Sequence, residues 1–403
     1  MRGKTIINHP SRLVGQWFKM FNSNIFNSAT IEGMLAAPGS KWHRDPPDVI
    51  PLWLADPDFP TSPAIRKAIQ RAVDDEDFLY GDDRKARSAI VEKTNRRNGL
   101  HVTGDNIMIT QGVTPSMWLS LQYATKPGDE VIVTDPMYFP FFAAVETCKT
   151  KPVYWKLDIE DGYKFDSEKL KELITPKTKA ILVCNPHNPS GRVMTKEELK
   201  AIGDIAVDKK ITIMVDELWE DIVLDGRKHI TLASLSPEIA DTTITSFGFS
   251  KTWGVAGLQV GYIAVTNKVV MAELTKIAKG VLRGTNNIAL AAVPEMCDYH
   301  NDYWKKDMVA HIEKMRAIAT NRFNEMGCKV PELQGTYLMF PKFPIKKTST
   351  EFEKHLRENA KVALSIGTEF GAQGASHMRV LIATSETILN ESLDRIEKGL
   401  KSF

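Results

Sequence analysis

Residues 180–191 of this chain read AILVCNPHNPSG, and residues 211–219 read ITIMVDELW. Each opens with a five-residue run, apolar throughout but for Thr212, and then breaks into polar residues, Asn185 to Ser190 in one and Asp216 in the other. Runs this short and this uniformly apolar suit strands covered on both faces, as in parallel sheets. The same rhythm extends outward through IMIT at 107, VIVT at 131, TITSF at 243 and VGYIAV at 260, with stretches of helical length between them. One connecting helix announces its start, because Thr195 followed by Glu198 forms a capping box ahead of LKAIGDIAV. Strand and helix in alternation predict an α/β fold with a mainly parallel sheet between helical layers.

The remaining segments flank this block. Residues 1–60 are expected to form an N-terminal arm and part of a smaller domain. Residues 61–300 form the large domain, and residues 301–403 complete the small α/β domain, opening on the helical pattern from Tyr303 and giving strands around TYLMFPKF and MRVLIAT. The basic run KTNRRNG at 93 is expected at a solvated helix end.

At 403 residues the chain is long enough for two domains sharing a buried pocket. Lys plus Arg total 52 against 50 Asp plus Glu, so no global field exists to hold nucleic acid or an anionic membrane, and any anion site must be local. Cys148, Cys184, Cys297 and Cys328 form no C-x-x-C pair, which argues against a metal site or a disulfide framework and suits a reducing cytoplasm. No signal-peptide pattern or run of about 18 apolar residues occurs, so the expectation is a cytoplasmic protein.

In a doubly wound sheet, ligands sit beyond the carboxyl ends of the strands. After IMIT comes a glycine turn, Gly112-Val113-Thr114, entering a helix whose free N–H groups suit a phosphate. After VIVT come Tyr138 and other aromatics, after AILVC come Asn185 and Asn188, and after ITIMV comes Asp216. Singly, each has an ordinary explanation in turns, caps and core filling. Lys251, in SFGFSKTWGVAGLQVGY (246–262), tips the balance: a desolvated lysine has a lowered pKa and becomes a nucleophile. One ligand would use all of these groups, an aromatic aldehyde bearing a phosphate arm, a phenolic oxygen and a protonated ring nitrogen. That ligand is pyridoxal 5'-phosphate.

With PDFPTSPAI (57–65), CNPHNPSGRV (184–193), VDELW (215–219) and SKTWGVAGLQVGY (250–262) in this order, the chain resembles the fold type I pyridoxal-phosphate enzymes of the class I/II aminotransferase family. The resemblance implies an aspartate aminotransferase-like large domain with a seven-stranded type of sheet. It implies that Lys251 is the Schiff-base lysine, Asp216 the partner of the ring nitrogen, Asn188 a donor to the phenolic oxygen and Tyr138 the stacking aromatic. Gly112, Val113, Thr114 and Ser250 would hold the phosphate, with Arg283 a further candidate, and Arg379 would grip the substrate carboxylate. Tyr80 would reach the cofactor of a second subunit, which implies a homodimer.

Three positions depart from the family pattern. Gln259 stands where an arginine is usual, Trp219 where a tyrosine is common, and Gly248 where some members carry a phosphate-binding serine. Both Trp219 and Gln259 remain donors to the cofactor site. KW at 41, PLWLAD at 51, GVTPS at 112, DPMYFPF at 135 and AGLQ at 256 are similar to the cystathionine β-lyase-like carbon–sulfur lyases of the same fold. The expectation is an aminotransferase acting on an L-amino acid and a 2-oxo acid, with β-elimination of pyruvate, ammonia and a thiol as the alternative. A ligand-sensing regulator is disfavoured, since the N-terminal arm shows no helix-turn-helix pattern.

Overall fold

The computed structural model describes residues 25–282 and 284–403. The strands in chain order are β1 (Ile50–Pro51), β2 (Ile107–Thr110), β3 (Glu130–Asp135), β4 (Lys151–Lys156), β5 (Thr178–Cys184) and β6 (Thr212–Asp216). There follow β7 (Thr243–Gly248), β8 (Gly261–Ala264), β9 (Leu338–Met339), β10 (Val362–Ala363), β11 (Ser365–Ile366) and β12 (Met378–Leu381). Seven of them form the central sheet in the order β2-β8-β7-β6-β5-β3-β4. Only β8 runs against its neighbours, β2 and β7; the other pairings are parallel.

The apolar runs fill both faces of this sheet, as expected. Val131, Ile132, Val133, Ile181, Leu182, Val183, Met214 and Val215 are fully buried, each side chain contributing about 1.5–3 kcal/mol relative to exposure. β4 was not foreseen in the sequence. It is an edge strand whose residues are mostly exposed or half-buried, and Pro152 interrupts its apolar pattern, so neither alternation nor a continuous run marks it.

Chain order reverses at β3, with β4 on one side and β5 leading away on the other, which creates the crevice of a doubly wound sheet. Register brings the polar strand ends side by side: Cys184 pairs with Asp216, Asp216 with Ser246, and Gly248 with Gly261. Helix Lys196–Lys209 starts at the expected capping box, with Thr195 Oγ1 accepting from the Glu198 N–H and the Glu198 carboxylate accepting from the Thr195 N–H.

The C-terminal segment begins with helix Asp302–Glu325 and contains the antiparallel sheet β11-β12-β9. β10 pairs in parallel with β1, Ile50 opposite Val362, which ties the chain's early residues to this segment. The run KTNRRNG does end a helix, Arg84–Asn98, and Asn95, Arg96, Arg97 and Gly99 are exposed as expected, but its other face is not solvated. Lys93, Thr94 and Asn98 are buried, with the ammonium of Lys93 paired to the carboxylate of Glu220, and the guanidinium of Arg97 pairs with Asp221. The four cysteines are free and buried. Among the described residues no helix is long and apolar enough to cross a membrane.

Candidate active site

A cavity of about 910 Å³ opens beyond the carboxyl ends of the central strands. Gly112, Val113, Thr114, Tyr138, Asn188, Asp216, Trp219, Ser250, Lys251, Gln259 and Arg379 all line it. Tyr80 does not; it lies between two helices, fully exposed beside Phe78 and Leu79. Arg283 lies outside the described residues.

Asp216 ends β6 and is 3% exposed. Its Oδ1 accepts the Leu218 N–H at 2.9 Å, and its Oδ2 takes the Cys184 thiol at 3.4 Å. Burial pushes its pKa up to about 6, against the pull of those hydrogen bonds. Among the described residues no cationic side chain is within ion-pair distance of it. A buried carboxylate so placed is costly unless a donor or cation arrives.

β7 ends at Gly248 and the chain turns into the short helix Ser250–Trp253, closed by Gly254 in the left-handed conformation (φ 63°). This turn delivers Lys251 into the cavity. Its Nζ donates to the Ala55 carbonyl at 2.7 Å and lies 5.9 Å from the Trp219 ring centroid. Burial lowers its pKa to about 8, with the charge of Asp56 opposing the shift. Trp219 is itself buried, edge-on to Tyr337 at 4.7 Å.

Arg379 on β12 is buried without a carboxylate partner among the described residues. Its guanidinium donates to Asn188 Oδ1 at 3.2 Å, the Trp53 carbonyl at 2.9 Å and Ser365 Oγ at 3.2 Å, while Nε is buried with no partner. Desolvation lowers its pKa to about 10. A forked donor held this way is suited to a planar carboxylate. Since Asn188 uses its oxygen on Arg379, its amide NH₂ is the group left as a donor.

Gly112 (φ 108°) caps helix Val113–Ala124, whose first N–H groups lie at the cavity. Gly261 lets the backbones close up, because a Cβ there would meet the Phe247 carbonyl at 2.7 Å and Gly112 Cα at 3.1 Å. Gln259 is exposed and left-handed (φ 49°), and its side chain makes no hydrogen bond among the described residues. Tyr138 precedes helix Phe139–Thr147, half-buried against Phe139 and Phe141.

The arrangement fits pyridoxal phosphate: an unpaired acid for a protonated ring nitrogen, an amine of depressed pKa, amide donors for a phosphate, and an unpaired guanidinium for a carboxylate. The family model for class I and II aminotransferases matches residues 47–396. The chain belongs to that family. A cystathionine beta-lyase of Bacillus subtilis is 31% identical over 362 residues, covering 88% of this chain and 93% of the relative. An aromatic-amino-acid aminotransferase of Thermococcus litoralis is 32% identical over 360 residues, covering 88% and 92%. The structure of cystalysin from Treponema denticola, which contains pyridoxal 5'-phosphate, superposes with a TM-score of 0.84 at 29% identity, covering 90% of this chain and 94% of that one. This member of the family is thus a pyridoxal-phosphate-dependent enzyme with the aspartate aminotransferase-like fold.

Several contributors escaped sequence reasoning. The carbonyls of Ala55 and Trp53, which hold Lys251 and Arg379, are backbone atoms and leave no residue signature. Ser365 and Tyr337 sit in apolar runs that read as core. The hint available was that Trp53 and Ala55 both lie in PLWLAD (51–56), directly ahead of PDFP.

Proposed function

We propose that the protein is an aminotransferase that moves an amino group between an L-amino acid and a 2-oxo acid, acting as a cytoplasmic homodimer. The observation that carries the reading is that one cavity contains both Arg379, a guanidinium without an acidic partner among the described residues, and Lys251, an amine with pKa near 8. Arg379 binds the substrate α-carboxylate through its fork, and its bonds to Asn188, Trp53 and Ser365 fix the fork's plane. When bound, pyridoxal phosphate supplies an aldehyde that takes up amines and a protonated ring that draws electrons from the substrate Cα. Asp216 keeps the ring nitrogen protonated by presenting a carboxylate that has no other cation to satisfy it. Asn188 would donate to the phenolic oxygen, Tyr138 would pack on the ring, and the N–H groups after Gly112 would hold the phosphate, helped by Ser250 and Gln259, with the Trp219 N–H a further donor to the cofactor.

Lys251 Nζ is the base that takes the proton from Cα, and its depressed pKa leaves a useful fraction neutral near pH 7. An amino donor with 2-oxoglutarate should give glutamate and a new oxo acid. The similarity to a cystathionine beta-lyase supports a second reading, β-elimination, in which Lys251 takes the same proton, the Cβ–S bond breaks and the electron pair leaves with sulfur. Parallel assays of a substrate panel separate them: glutamate that depends on an oxo acid supports transamination, whereas pyruvate and thiol without glutamate would overturn it. Lys251→Ala should lose the covalent attachment of the cofactor that borohydride reduction makes permanent; retention of it would remove Lys251 from this role.

The exposed Phe78, Leu79 and Tyr80 support a second copy packing over this segment, with Tyr80 contributing to its partner's site. Free buried thiols support the cytoplasmic location.

A further inference from the structure

Two short motifs with no role in the chemistry above, KW at 41–42 and PDF at 57–59, meet directly behind Lys251. Asp58 Oδ1 accepts from Lys41 Nζ at 2.8 Å and from Trp42 Nε1 at 2.7 Å. Lys41 and Asp58 are 5% and 1% exposed, and Trp42 is 5% exposed, so the cluster is shut off from water. Lys41 also donates to the Asp56 carbonyl at 2.9 Å. The neighbouring carbonyl, that of Ala55, receives Lys251 Nζ at 2.7 Å, with the Tyr337 hydroxyl 3.4 Å from the same oxygen. Two consecutive carbonyls of one tight segment therefore each accept from a lysine, one structural and one in the active site. The far end of the segment is anchored by the Asp58 N–H, which donates to the Ala383 carbonyl at 2.9 Å.

We propose that Lys41, Trp42 and Asp58 are positioning residues that hold the Ala55 carbonyl as the acceptor that places the Lys251 amine for proton transfer at the substrate Cα. A buried ion pair is a poor source of stability, since apolar residues of similar volume commonly do as well. Its value lies in fixing geometry. Lys41 bonds both the side chain of Asp58 and the carbonyl of Asp56, so the peptide planes between them have little freedom to turn. With the Asp56 carbonyl turned to Lys41, the preceding carbonyl stays aimed at Lys251. Loss of the clamp would let that carbonyl swing and leave Nζ without its partner, and proton transfer is sensitive to displacements of about 1 Å. The inference rests on Lys251 being the base, and it holds equally for transamination and for elimination, because both begin by removing the Cα proton.

The test is enzyme-catalysed exchange of the Cα hydrogen of L-alanine and of L-phenylalanine with D₂O, followed by proton NMR on holoenzyme without an oxo acid. The key variant is Lys41→Met/Asp58→Asn, which removes both charges together and avoids the unpaired buried ion that either single change would leave. We expect exchange at saturating amino acid to fall at least tenfold, with half-saturation within about threefold of wild type and the visible cofactor band retained. Wild-type exchange in this variant would overturn the proposal, as would a loss of exchange that merely follows loss of cofactor or of thermal stability. Exchange that persists at the wild-type rate in Lys251→Ala would instead strike at Lys251 as the base.

Discussion

Arg379 and Asn188 are hydrogen-bonded to each other, Nη1 to Oδ1 at 3.2 Å, although one lies on β12 of the C-terminal segment and the other in the turn after β5. The group proposed to bind the substrate carboxylate and the group proposed to touch the cofactor oxygen are therefore one unit. Arg379→Lys keeps the charge but loses the fork. Losing one charge-assisted hydrogen bond costs about 1.5–3 kcal/mol, so KM for the amino acid should rise roughly 10- to 150-fold. Initial-rate kinetics check this, and cofactor titration should show a smaller loss of affinity transmitted through Asn188.

Asp216 sets a pH limit on cofactor binding. Its carboxyl has a pKa of about 6 in the folded protein, and only the ionised form attracts a cationic ring. As pH falls through 6 that attraction is lost, so apoenzyme affinity for pyridoxal phosphate should drop roughly tenfold from this group between pH 7.5 and 5. Asp216→Asn should flatten that part of the profile. In the apoenzyme the linkage runs the other way: the folded state holds this proton more tightly than the unfolded chain, so the stability contribution is full below about pH 4 and is lost as pH rises through 6. Melting of apoenzyme against pH, in wild type and Asp216→Asn, reads that sign.

Restoring a serine at position 248 should not simply restore a phosphate ligand. A Cβ there would lie 2.5 Å from Leu218 Cδ1 and 3.2 Å from Val113 Cγ2. Gly248→Ser should cost about 1–3 kcal/mol through crowding and weaken cofactor binding by shifting the segment that carries Asp216. Gly248→Ser with Leu218→Ala should recover affinity; if the single variant binds cofactor more tightly than wild type, the crowding argument fails.

Lys93→Met would strand the Glu220 carboxylate, which Asn98 Nδ2 also contacts, in a buried site. Breaking such a pair costs about 3–5 kcal/mol, and Lys93→Met/Glu220→Met should restore most of it. Thermal or denaturant unfolding decides this, the expected result being a double variant well above the single one.

The legibility of the sequence followed physical lines. The apolar runs at 131, 180 and 211 could be placed because strands buried on both faces leave one continuous signal, and Asp216 and Asn188 could be located by following those runs to their ends. Lys251 stood out because a lysine between two such runs must be desolvated. The edge strand β4 was missed for the opposite reason, being half-solvated and carrying Pro152. Lys93 was misread because its partner, Glu220, is 127 residues away, and no local pattern announces a distant counter-charge. The carbonyls behind Lys251 and Arg379 leave no trace in residue type.

Gly248 and Gly261 face each other as register partners, so the chain between them, 249–260, leaves the sheet and returns to the place it left. That closed loop carries Lys251 on one limb and Gln259 on the other, which makes the covalent anchor and the phosphate-side residue parts of one ring of fixed circumference. An insertion or deletion anywhere in it would displace both together. A change of side chain at constant length, such as one at Gln259, leaves the ring intact.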